Sequence, residues 1–200
     1  MAVPEFGSYN KGGPQTAAIE REANMVRDKP SERPWIIMGL ILMGVVARLV
    51  PHPPNVTPLT AIALFGGTYL SRRWAVLLPL SIVGISDLLL GWDAAIPFSW
   101  AAFALTGLVA WWVRARPGPG RIAAGALAGS VAFFLITNFG VWLIGELYPR
   151  TTAGFWECYV AAIPFFRNTV MGDLVYTAVF FGSYALITRP RLTHHRVPSH

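Results

Sequence analysis

From about residue 34 the chain reads as apolar runs cut by short breaks rich in proline, glycine or charge. Their length and composition predict an all-α, polytopic membrane protein with six spans. The predicted spans are about Trp35–Val50, Leu59–Leu70, Trp74–Leu90, Ile96–Val113, Ile122–Leu147 and Asn168–Ile187. Pro51, Pro53 and Pro54 stop the first helix, because proline lacks the N–H that a helix interior needs and restricts the residue before it. Thr57 is a good N-cap and Pro58 suits a first helical position, so the chain is expected to restart there.

Two stretches do not fit a full crossing. The second span covers roughly 18 Å at 1.5 Å per residue, against a hydrocarbon core about 30 Å thick. The loop from Pro51 to Thr57 is therefore expected to dip into the membrane, which requires protein or a water-filled cavity around it. Phe155 to Phe166 is apolar but too short to cross, and is expected to be interfacial or re-entrant. The fold expected is thus a six-helix transmembrane bundle with short broken or re-entrant segments.

Charge orients the bundle. Past the N-terminal tail, the acids Asp87, Asp93, Glu146, Glu157 and Asp173 fall toward one predicted face. Arg72/Arg73, Arg114/Arg116/Arg121 and Arg189/Arg191/Arg196 fall at the other. By the positive-inside rule the arginine face is cytoplasmic, and six spans place both termini there. Tryptophans mark both interfaces: Trp35, Trp74, Trp111 and Trp112 inside, Trp92, Trp100, Trp142 and Trp156 outside. The net charge of +6 and a pI near 10.0 do not indicate nucleic acid, because the cations flank apolar spans and form no basic soluble face. Only 13% of residues are charged and mean hydropathy is +0.48, where a soluble domain carries about 25% charged residues. The bilayer of a bacterial cytoplasmic membrane is the expected environment.

Three regions follow: a polar cytoplasmic tail (1–33), a six-span domain (34–188) and a basic cytoplasmic tail (189–200). In the first, Gln15 to Val26 is a candidate short helix, and no segment has the form of a cleavable signal. Cys158 is the single cysteine, which excludes an intramolecular disulfide.

Polar residues inside the apolar spans are the candidates for chemistry. Charges at the centre of a membrane helix cost at least about 2.5–3.5 kcal/mol on insertion scales, so they are kept for a reason. Arg48, Asp87, Arg167 and Asp173 all fall within about two turns of the predicted outer face. They suit either an ion-pair network locking the first, third and sixth spans or a polar ligand pocket. Asn138, near the middle of the fifth span, needs a hydrogen-bond partner from another helix or a ligand. His52 suits a loop hydrogen bond better than a metal, since no second histidine or cysteine lies near it. Gly125/Gly129, Ala63/Gly67 and Ala178/Gly182 are small-xxx-small pairs that let helix backbones approach closely. No HExxH, GxSxG, phosphate loop or dinucleotide fingerprint is present, and no nucleophile or metal set accompanies the aspartates. An enzyme, a cofactor and a metal site are not expected.

Several segments carry a resemblance: Arg48-Leu-Val-Pro-His-Pro-Pro-Asn-Val-Thr-Pro, Ala63-Leu-Phe-Gly-Gly, Ser86-Asp-Leu-Leu-Leu-Gly, Thr137-Asn-Phe-Gly-Val-Trp, and Cys158-Tyr through Pro164-Phe-Phe-Arg-Asn-Thr to Gly172-Asp. Over about residues 36–188 the chain resembles a family of uncharacterised bacterial membrane proteins similar to the substrate-binding components of energy-coupling-factor vitamin transporters. The resemblance implies a six-helix bundle with an outer-half pocket capped by the loop between the first two helices, Pro51 to Thr57 here. Pocket candidates are then Arg48, His52, Asn55, Asp87, Asn138, Arg167, Asn168 and Asp173. The first functional expectation is a transporter-like protein that binds a small solute and relies on an energising partner or facilitated diffusion. The alternative is an accessory subunit of a larger respiratory or photosynthetic membrane complex, docked through its N-terminal tail and small-residue helix faces.

Overall fold

The structure, a computed structural model, describes residues 34–188, and the expectations for the two tails lie outside these residues. Seven helices and no strand are found among the described residues: α1 (Pro34–Leu49), α2 (Leu59–Tyr69), α3 (Trp74–Leu90), α4 (Ile96–Ala115), α5 (Pro119–Ile144), α6 (Thr152–Ala161) and α7 (Ile163–Thr188). α4, α5 and α7 are long and apolar enough to cross a membrane, while α1, α2 and α3 are shorter apolar helices.

Local chemistry explains the boundaries, including those that differ from expectation. α5 starts three residues early, at Pro119, whose ring presets the helical φ, and ends before Gly145. α2 is capped at Pro58 and not at Thr57: the Pro58 carbonyl accepts from the Ile62 N–H at 2.8 Å, and no side chain caps this end. α3 stops at Gly91, whose φ of 103° is open to glycine at little cost. The apolar stretch Phe155–Phe166 is not one short segment. It breaks at Ala162, so α6 takes its first part and the rest opens α7. Thr151 caps α6 by accepting from the Gly154 N–H at 3.2 Å.

α2 is the centre of the fold. Nine of its eleven residues are buried, and it touches α1, α3, α4, α5 and α7. A helix that is apolar all round belongs in such a position. Close approach is built from small residues. A Cβ on Gly67 would lie 2.5 Å from Ala110 Cβ and 2.6 Å from Ala75 Cβ, and Ala63 on the same helix is fully buried. Gly125 admits Val113 of α4, and Gly129 admits Thr60 of α2 and Thr106 of α4. These predicted packing pairs work within the chain. The third pair does not: Ala178 and Gly182 are exposed on α7, and a Cβ on Gly182 would meet nothing within 4 Å.

The C-terminal end of α2 has its own cap. Arg114 of α4 donates from Nη1 to the carbonyls of Gly67 and Thr68, at 3.3 Å each, and to that of Leu70. Orphan carbonyls at a helix end attract a cation both as acceptors and as the negative pole of the helix. The expectation gave Arg114 only a topological role, and the structure adds this one.

The exterior is apolar. Met38, Leu42, Leu88, Met171, Val175, Leu186 and many similar side chains are exposed. In water such a surface is an aggregation liability, whereas hydrocarbon is as apolar as leucine. Three long apolar helices with outward apolar faces fit association with a membrane.

Candidate functional site

The polar residues gather at the end of the bundle where the α1–α2 and α3–α4 connections lie. Gly44 sets the first contact: a Cβ there would meet Ile82 Cδ1 at 2.5 Å, so α1 lies close on α3. One turn on from Gly44 stands Arg48, and Asp87 follows one turn after the buried Val83 of α3. Arg48 Nη2 donates to Asp87 Oδ1 at 2.6 Å, and their side chains are 21% and 6% exposed. The indole of Trp100 crosses Gly84 and donates from Nε1 to Asp87 Oδ2 at 3.1 Å. Both carboxylate oxygens of Asp87 are thus engaged by donors from the two neighbouring helices.

α7 supplies the opposite wall with two pairs at four-residue spacing. Asn168 and Gly172 hold the loop: Asn168 Nδ2 donates to the Pro54 carbonyl at 3.3 Å, and Gly172 lets Val56 approach so closely that a Cβ would stand 3.2 Å from its Cγ1. Thr169 and Asp173 face inward and are 5% and 3% exposed. Asp173 Oδ2 accepts from Ser130 Oγ of α5 at 2.6 Å, and the Thr60 hydroxyl of α2 is its second hydrogen-bonding neighbour. No cation among the described residues lies within ion-pair distance of Asp173.

Between these walls lies a cavity of about 320 Å³. Arg48, His52, Asn55 and Asp173 line it, joined by hydroxyls of Thr57, Thr60, Ser99 and Thr169 and the rings of Phe103 and Phe133. Ligand pockets run about 300–1,000 Å³, so the space suits a small molecule. His52 and Asn55 are exposed while Thr60, Thr169 and Asp173 are buried, so the cavity runs from the surface into the helix core. A second cavity of about 430 Å³ adjoins it and shares Asn55, Ser99, Phe133 and Thr169. Asn138 lines the second one. The Pro51–Pro58 loop borders both cavities, with Asn55 at a φ of 65°.

Each expected site residue has a definite place. Arg48, His52, Asn55 and Asp173 come together in the first cavity, and Asp87 stands behind Arg48. The ring Nδ1 of His52 donates to the Val50 carbonyl at 2.7 Å, a local loop bond. Asn138 satisfies its amide on its own helix, donating to the Phe134 carbonyl at 2.7 Å, and not across to a neighbour. Asn168 anchors the loop, and Arg167 is exposed and lines neither cavity. The four charges therefore form no single network: one ion pair and one carboxylate among hydroxyls take its place. Ser130, Trp100 and Thr60 were not foreseen. Thr169 had a signal, its four-residue spacing from Asp173 on one helical face. Ser130 and Trp100 had none, since only helix packing brings them to an aspartate.

Fold and site define a helical, membrane-associated protein with a polar cavity between its helices. A family model matches residues 28–196, and the chain belongs to that family, described as a family of unknown function (DUF6580). No curated protein and no solved structure matches the chain.

Proposed function

We propose that the protein is a transporter-like component of a bacterial cytoplasmic membrane that binds a small solute in the outer half of its helical bundle. One observation carries the reading: a cavity of about 320 Å³ lined by both a guanidinium and a buried carboxylate, among apolar helices. Ionisable groups within membrane helices are costly and mark functional sites by default. In this reading α1, α2 and α3 join the three long helices as six spans, with both termini cytoplasmic. The Pro51–Pro58 loop caps the pocket. An energising module, or facilitated diffusion, would complete the cycle.

The test is purification of the full chain in a mild detergent, with mass spectrometry of bound small molecules and co-purifying subunits. The expected result is a retained solute that is lost when Ser99→Trp fills the cavity. Unchanged retention in Ser99→Trp would remove the site.

A second reading, an accessory subunit of a larger respiratory or photosynthetic complex, is favoured by the open small-residue face at Ala178 and Gly182. Small residues let a partner helix approach. Stoichiometric recovery with such a complex, abolished by Gly182→Trp and without any solute, would replace the first reading by the second.

A further inference from the structure

We infer that the solute carries an ammonium group that pairs with Asp173, and an acceptor oxygen that faces Arg48. This deepens, and rests on, the solute-binding reading above.

α1 contributes Arg48, and α3 neutralises it with Asp87 at 2.6 Å. The loop contributes His52 and Asn55; α2 contributes Thr60; α4 contributes Ser99 and Phe103; α5 contributes Phe133; α7 contributes Thr169 and Asp173. Arg167 is exposed and lines neither cavity. With the Arg48–Asp87 pair set aside, one carboxylate remains, 3% exposed and held by hydroxyls alone. A carboxylate this deep costs free energy unless it is protonated or paired with a cation, and among the described residues no cation lies within ion-pair distance of it. Two aromatic rings of the same cavity are compatible with a positive group. Phe103 and Phe133, with ring centroids 5.2 Å apart, line the same cavity, and aromatic faces attract cations.

The guanidinium of Arg48 has five N–H donors, and one bond to Asp87 uses one of them. The second oxygen of Asp87 accepts from the Trp100 indole, and the pair is held by a single Arg48–Asp87 bond. Arg48 therefore faces the cavity with donors to spare, which suit a carbonyl, hydroxyl or carboxylate oxygen. The space is far larger than a bare metal ion, which favours an organic amine over an alkali cation.

The test uses the purified full chain in mild detergent and native mass spectrometry. The probes are glycine, β-alanine and ethanolamine, each against its amine-free counterpart: acetate, propionate and ethanol. The expected result is that at least one amine binds and its counterpart does not. Asp173→Asn should lower the amine's binding at least tenfold, Arg48→Gln should weaken it less, and Arg167→Gln should leave it unchanged. Thermal melting of each variant without probe shows that it is folded. Equal binding of an amine-free probe to the protein and to Asp173→Asn overturns the ammonium assignment and leaves the solute-binding reading standing. Binding that needs sodium over potassium, with the sodium dependence lost in Asp173→Asn while the probe still binds, assigns Asp173 to a metal ion and likewise overturns the proposal. If none of the probes binds but a native solute without an amine is retained, the amine class is wrong. If nothing binds in either form, both readings fall.

Discussion

The Arg48–Asp87 pair should be strongly coupled, and a double-mutant cycle measures how strongly. Arg48→Met leaves the Asp87 side chain, 6% exposed, with the Trp100 N–H as its remaining donor. Removing one partner of a buried pair costs about 3–5 kcal/mol; the lower end applies because Arg48 is 21% exposed and partly solvated at the start. Asp87→Leu removes a charge-assisted hydrogen bond and strands a cation that can turn toward the cavity, at a cost of about 2 kcal/mol. The double variant Arg48→Met/Asp87→Leu leaves neither charge unpaired and places apolar volume at an α1–α3 contact, so its cost should be about 2 kcal/mol instead of the sum. The interaction energy is then about 3 kcal/mol, or about a hundredfold in the unfolding equilibrium constant. The assay is reversible unfolding in mixed micelles with increasing SDS fraction, followed by tryptophan fluorescence, since Trp100 contacts the pair directly. Additive single-variant effects, within about 0.5 kcal/mol, would refute the claim that burial makes this pair structural as well as charged.

Two further outcomes test the packing. Gly67→Ala should destabilise the fold by about 2 kcal/mol in the same assay, because its Cβ would stand 2.5 Å and 2.6 Å from two neighbouring Cβ atoms, whereas Gly182→Ala should cost less than about 0.5 kcal/mol; equal effects would mean that α2 is not the close-packed centre. Arg114→Leu should cost about 1–3 kcal/mol by leaving the last carbonyls of α2 without a donor, with Arg114→Lys restoring part of it. Full stability of Arg114→Leu would show that water or lipid headgroups satisfy those carbonyls instead.

Helix existence was legible because it is a local property. The α3 boundaries Trp74–Leu90 follow from the apolar run and Gly91, and the α1–α2 break follows from three prolines. The errors were local as well. Thr57 has the chemistry of a cap, but Pro58 takes the position and Thr57 lines the cavity. The apolar run at Phe155–Phe166 shows no hydropathy change at Ala162, yet the chain turns there and α7 begins early.

Site residues were legible in proportion to how costly they are. Arg48, Asp87 and Asp173 announce themselves, since ionisable groups are rare in apolar helices. Partners do not. That Arg48 meets Asp87 and not Asp173, and that Asp173 meets Ser130, depends on Gly44 letting α1 lie against α3 and on Gly129 letting α5 lie against α2. Arg167 looked equivalent to Arg48 in hydropathy, but it sits on an exposed face of α7.

The sequence by itself determined an all-helical chain, apolar enough for a membrane, with a loop of prolines between the first two helices and a small set of expensive charges. Those are properties of runs, breakers and transfer free energies, and each is set within a few turns of chain. Only the tertiary structure decided that the eleven-residue α2 is the centre, that among the described residues the site's charges divide into one ion pair and one carboxylate with no cation in ion-pair distance, and that a cavity remains between them. These depend on contacts between residues tens of positions apart, where the few ångströms saved by a glycine choose which side chains meet.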